Sequence, residues 1–85
     1  MDGDVMKTEE AVRKRIKDLI SQNNLTINGL ANVSAMPPTT LKNILSGVSK
    51  NPGIVTIKIL CDGFGITLAQ FFDCDLFNDL DQEIE

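Results

Sequence analysis

The chain has no histidine, tryptophan or tyrosine, only two cysteines, and no apolar run approaching a membrane span. Each shortage removes a class of function. Without histidine, and with Cys61 and Cys74 far apart in sequence, neither a zinc ligand set nor a disulfide scaffold can be assembled, so both thiols are expected to be reduced. The roughly 18 apolar residues of a spanning helix are missing, and the opening MDGDVMKTEE is acidic where a signal peptide would be basic and then apolar. A cytoplasmic protein with no membrane role is expected. No glycine-rich phosphate loop follows a strand pattern, and there is no second domain to wall a pocket, which leaves no enzyme reading and no cofactor. The acidic C-terminal stretch invites calcium, yet Asp73 and Asp75 are followed by Phe77, Asn78 and Ile84 where an EF-hand needs an oxygen ligand, a glycine and a glutamate.

Bases are also absent from residues 71–85, which hold six acids and carry −6. The formal net charge of −4 therefore hides a basic body. Residues 1–70 hold all eight Lys and Arg against six acids, a balance of +2, and residues 11–61 hold seven bases against Asp18 alone, a balance of +6. A positive surface is available if the tail folds away from it. With 85 residues there is room for one small core. The expected boundaries are a flexible N-terminus at 1–7, a helical domain at 8–73 and an acidic amphipathic tail at 74–85.

What is present is a series of short amphipathic helices. Thr8 can cap a first helix with Glu9 and Glu10 in its opening turn and an apolar stripe of Val12, Ile16, Leu19 and Ile20, with Arg13, Lys14, Arg15 and Lys17 on its other faces. Thr26 can cap a second, whose Ile27, Leu30, Ala31 and Ser34 share one side. Pro37 and Pro38 force a fresh start, with Pro38 suited to the first helical position. From there Leu41, Ile44 and Leu45 point inward, and Thr39, Lys42, Asn43 and Ser46 form a wholly polar opposite face. Gly47 suits a left-handed C-cap. A fourth helix, from near Pro52 or Gly53 to Gly63, places Ile54, Ile57, Cys61 and Phe64 on one side, so Cys61 reads as a core thiol, and leaves Val55 and Ile59 as an apolar patch. Thr67 caps a short fifth helix with Leu68, Phe71 and Phe72.

Two short helices joined by a tight turn are the geometry that presents side chains to a major groove. In Thr26 with Leu30-Ala31, the turn at Ala35-Met36, Thr40-Leu41, Ile44, Gly47, Lys50-Asn51-Pro52, Ile57 and Ile66-Thr67-Leu68, the chain from Arg15 to Phe72 resembles the lambda-repressor/Cro-type helix-turn-helix family, the xenobiotic-response-element (XRE) class. The resemblance implies an all-α, compact five-helix domain, here with room for a short C-terminal helix, and a sequence-specific DNA-binding transcriptional regulator, in particular a repressor. It also implies backbone contacts at the start of the second helix and in the loop before the fourth.

Four departures from the family bear on the site. Ile27 stands where the family often has a phosphate-bonding Gln, Gly29 where a Glu would complete a capping box, Ala35 where the turn usually has Gly, and Pro37-Pro38 where a polar cap and a base reader are common. Ile27 is therefore expected to pack. Base reading should move inward to Thr39, Thr40, Lys42 and Asn43, with Asn43 able to pair bidentately with adenine and Lys42 able to meet guanine or phosphate. Thr26, Asn28, Ser46, Ser49, Lys50 and Asn51 are the expected phosphate contacts. The modest charge calls for a dimer on operator DNA. In the tail, Leu76, Phe77, Leu80 and Ile84 recur at near-helical spacing and are expected to meet Val55 and Ile59, in trans as a homodimer or in cis as an extension of the core, both open. A second reading makes the chain a protein-interaction module, a regulatory or antitoxin-like partner acting through its acidic tail with weak DNA binding.

Overall fold

Helix α1, Thr8–Gln22, is set by its apolar spacing: Ala11, Val12, Ile16 and Leu19 are all buried. Its cap lies one residue earlier than Thr8. Lys7 is the N-cap; its ammonium cannot accept from the first-turn N–H groups, and the hydrogen bond that marks this end is the Glu10 carboxylate accepting the Lys7 N–H at 3.2 Å. Residues 5–84 are described in the structure, a computed structural model, so residues 1–4 of the expected flexible N-terminus lie outside the described residues. Within the same expected segment, Met6 forms a parallel bridge with Leu80.

Then follow α2 (Ile27–Val33), α3 (Pro38–Ser46), α4 (Ile54–Phe64) and α5 (Leu68–Phe72), and a 3-10 turn at Asp75–Phe77 where a short C-terminal helix had room to form. Among the described residues the fold is all-α with five α-helices, a small lambda-repressor-like domain. No helix among the described residues is long and apolar enough to cross a membrane.

Three helices end in the same way. After α1, Asn24 turns left-handed (φ 55°), its N–H bonding Ser21 C=O and the Leu25 N–H bonding Ile20 C=O. After α2, Ala35 does so (φ 50°) with the Asn32 and Ala31 carbonyls, and after α4, Gly65 with those of Asp62 and Cys61. Each is a Schellman closure that satisfies carbonyls the helix leaves open. At Ala35 the closure is strained, since a Cβ in this conformation costs about 1 kcal/mol.

The core gathers α1, Leu30 and Ala31 of α2, Leu41, Ile44 and Leu45 of α3, and Ile57, Leu60 and Cys61 of α4 around the fully buried Phe71. The inward side of α4 differs from the expected stripe. Ile54, at the first position, is 57% exposed, and Leu60, which the spacing argument passed over, is fully buried. Cys61 is buried too, and burial pushes its thiol up from its ordinary range, with Lys58 opposing and Asp62 adding. Where α2 meets α4, a Cβ at Gly63 would stand 2.2 Å from Ser34 Oγ, so the absence of a side chain permits the approach. Ser34 is itself buried, and its hydroxyl has no hydrogen-bond partner.

The tail does not cover Val55 and Ile59. Phe77 meets Phe72 edge-on at 4.9 Å and Phe71 at 6.1 Å, and Phe71 meets Phe72 at 4.8 Å, a trio that offers more aromatic contact than two aliphatic side chains would. The Asp81 N–H then bonds Met6 C=O at 2.9 Å and fixes the chain beside α1. Leu76 and Leu80 are half-buried in this arrangement, while Ile84 stays 82% exposed.

Candidate nucleic-acid interface

The exposed side of α3 is built by its two ends. Pro38 opens it, with the Thr40 and Leu41 N–H groups bonding Pro37 C=O at 3.0 and 3.4 Å, and Gly47 closes it in the left-handed region (φ 86°). With Leu41, Ile44 and Leu45 buried, the 3.6-residue period turns Thr39, Thr40, Lys42, Asn43 and Ser46 to solvent, and all five are exposed.

These residues divide between two concavities. Thr40 and Asn43 line a depression together with Ser49, Asn51, Pro52, Gly53 and Thr56, so two expected base readers and two expected phosphate contacts share one concave surface. No tail residue among the described residues lines it. Its polar side chains are the amides of Asn43 and Asn51 and the hydroxyls of Thr40, Ser49 and Thr56, groups that can meet base edges and phosphate oxygens. Lys42 and Ser46 lie on the other side of α3, along a groove shared with Lys17, Ile20, Ile27 and Leu45. Lys50 belongs to neither, because it lines a third cleft with Thr8, Glu9, Gly53 and Glu83, where the acidic tail comes alongside the loop. Thr39 is exposed at the opening turn of α3 and lines none of the three.

At the start of α2, Thr26 Oγ1 accepts the Gly29 N–H at 2.9 Å, which leaves the hydroxyl proton free to point outward. A Cβ at Gly29 would come within 3.1 Å of that oxygen. Asn28 is exposed beside it. Ile27, expected to pack, remains 37% exposed. The Ser46 hydroxyl donates to Asn43 C=O at 3.3 Å, so it is partly engaged within its own helix.

The basic cluster on α1 is largely occupied with the fold. Arg13 pairs with Glu9 at 3.1 Å and Lys14 with Asp18 at 2.9 Å. Arg15 donates from Nε to Phe71 C=O at 2.7 Å and from Nη2 to Gln70 C=O at 2.8 Å, which ties α1 to the end of α5. On α4, Lys58 pairs with Asp62. Among the described residues the cations without such a partner that lie near α3 are Lys17, Lys42 and Lys50. The sequence marked Lys17 only as one member of the basic cluster on α1, and it did not mark Thr56 at all. Nothing in the spacing of α4 marks Thr56, since its place opposite Asn43 depends on how the loop at 47–53 carries the chain back.

Val55 and Ile59 stand 69% and 38% exposed on α4, apart from Leu76, Phe77 and Leu80, which pack elsewhere. The expected meeting of these five residues does not occur within the chain.

No protein-family model matches the chain, and neither does any curated protein. Among solved structures it is similar to prophage Lp1 protein 11, with 34% sequence identity over 89% of this chain and 100% of that one, and a TM-score of 0.76.

Proposed function

Since the chain belongs to the family of prophage Lp1 protein 11, we propose that it is a non-catalytic cytoplasmic regulator, an XRE-class helix-turn-helix protein that binds operator DNA and acts as a repressor. The observation that carries this reading is the shared depression of Thr40, Asn43, Ser49 and Asn51, which faces solvent and is lined by no tail residue among the described residues. In this reading α3 enters the major groove. Asn43 reads a base, with Thr40 and Thr39 at its flank and Lys42 contacting guanine or phosphate. Ser49 and Asn51 hold one phosphate strand, and Thr26, Asn28, Ser46 and Lys50 hold neighbouring positions.

Lys17, Lys42 and Lys50 supply little phosphate neutralisation, so binding is by a dimer with recognition helices roughly 34 Å apart. The exposed Ile54, Val55 and Ile59 offer the apolar surface for a second copy. Replacement of Asn43 by alanine tests the site directly. It should relax selectivity at one base position by about 1 to 3 kcal/mol while leaving the melting temperature in place, and unchanged selectivity would remove Asn43 from the interface.

A further inference from the structure

DNA binding leaves the departure at Ile27 without a role. A polar residue there would serve a phosphate, whereas isoleucine, with Ile20 and Leu45, forms the floor of a shallow open groove of about 420 Å³ whose rim is Lys17, Lys42 and Ser46. The floor is apolar and the rim cationic. A phosphodiester strand gains from the two ammonium groups but nothing from three aliphatic side chains, which would stay wetted beneath it. A ligand that satisfies both must carry apolar groups and carboxylates at close spacing.

An amphipathic helix does this: apolar side chains at steps of three and four enter the floor, and acids on either side of them reach the lysines. The charge on the rim is available, because Lys14 and Lys58 are paired with acids on their own helices while Lys17 and Lys42 have no ion-pair partner among the described residues. The size also suits side chains rather than a surface scratch, falling in the range of about 300 to 1,000 Å³ found for binding clefts. We propose that the groove between α1, the start of α2 and α3 docks an acidic amphipathic helix of a partner protein. Because Lys42 and Ser46 sit on α3 itself, a helix seated there excludes duplex from α3. That exclusion rests on the DNA reading above, whereas the docking does not.

The probe is a synthetic peptide of about 14 residues with leucine at helical spacing between glutamates, compared with a counterpart in which lysine replaces glutamate. Added to the full chain with labelled methyl groups, the glutamate peptide should shift the resonances of Ile20, Ile27 and Leu45 and bind in the micromolar range. Binding should weaken at least about tenfold in Ile27→Gln and in Lys17→Glu, and remain unchanged in Val33→Gln, an exposed position at the far end of α2 that does not line the groove. The proposal is overturned by equal binding of the two peptides, by no binding up to about 1 mM, or by indifference to Ile27→Gln. Shifts of the same methyls that follow protein concentration without peptide would also overturn it, assigning the groove to a second copy. Displacement of bound duplex is read separately: retained duplex beside bound peptide contradicts the exclusion alone, and a chain that binds peptide but no duplex contradicts only the DNA reading.

Discussion

Ala35 shows how a single residue records the demands of the turn. The Schellman closure after α2 requires a left-handed residue, and the chain supplies alanine at φ 50° in the place where glycine would be unstrained. Ala35→Gly should therefore raise stability by up to about 1 kcal/mol, somewhat less if the freer unfolded chain offsets the relief. Chemical denaturation of the two proteins measures it, and a loss of stability would mean the turn is relaxed as it stands. Ser34, the residue before, carries a second local cost. Its hydroxyl is buried with no partner, against the close approach of Gly63.

At the scale of elements, that contact joins α2 to α4 and makes a paired prediction. Ser34→Ala should stabilise by about 1 kcal/mol, because a buried hydroxyl with no hydrogen bond is removed. Gly63→Ala alone should destabilise by about 1 to 3 kcal/mol through the clash with Ser34 Oγ, and most of that loss should disappear in the double variant. A double-mutant cycle in urea checks both, and strict additivity would show that the hydroxyl simply turns aside. The elements themselves were largely legible in the sequence, because each of the five helices carries an apolar period, and Thr26, Pro38, Gly47 and Thr67 mark ends where the structure has them. The cap at Lys7 was not, since it depends on Glu10 reaching back rather than on the residue at the cap. Leu60 and Ile54 exchanged expected roles because a helical period fixes which residues share a side but not how far the helix extends beyond its neighbours. The course of the tail within the chain was not legible for the same reason: Leu76, Phe77 and Leu80 have helical spacing, yet three phenylalanine rings from two segments found each other, and a 3-10 turn followed by an extended stretch suits that better.

Of the candidate site, the sequence showed which side chains of α3 face outward but not how they group. Thr40, Asn43, Ser49 and Asn51 come together as one concave surface, but the sequence could not separate them from Lys42 and Ser46 on the far side of α3, nor bring Thr56 in from α4. Grouping depends on the path of the loop between α3 and α4, where periodicity is silent.

For the molecule as a whole the governing quantities are charge and copy number. Four of the seven bases in residues 11–61 are engaged within the chain, Arg13, Lys14 and Lys58 in i,i+4 ion pairs along their own helices and Arg15 on the Gln70 and Phe71 carbonyls, so a single copy presents few unpaired cations among the described residues. In the proposed dimer, with α4 as the contact, the second copy would double them. Val55→Asp combined with Ile59→Asp should leave a folded monomer in sedimentation equilibrium and weaken operator binding by at least about tenfold; a persistent dimer would move the interface off α4. The central claim is that α3 and the loop after it hold a duplex by its phosphates and read it by its bases. Its most direct test is to select duplexes from a randomised pool and measure the affinity of the winner as salt rises from about 50 to about 200 mM. Enrichment of one sequence, with affinity falling roughly 10³ to 10⁵-fold for about six to ten phosphate contacts across a dimer, is the predicted result. A pool that yields no preferred sequence, or an affinity indifferent to salt, would contradict it.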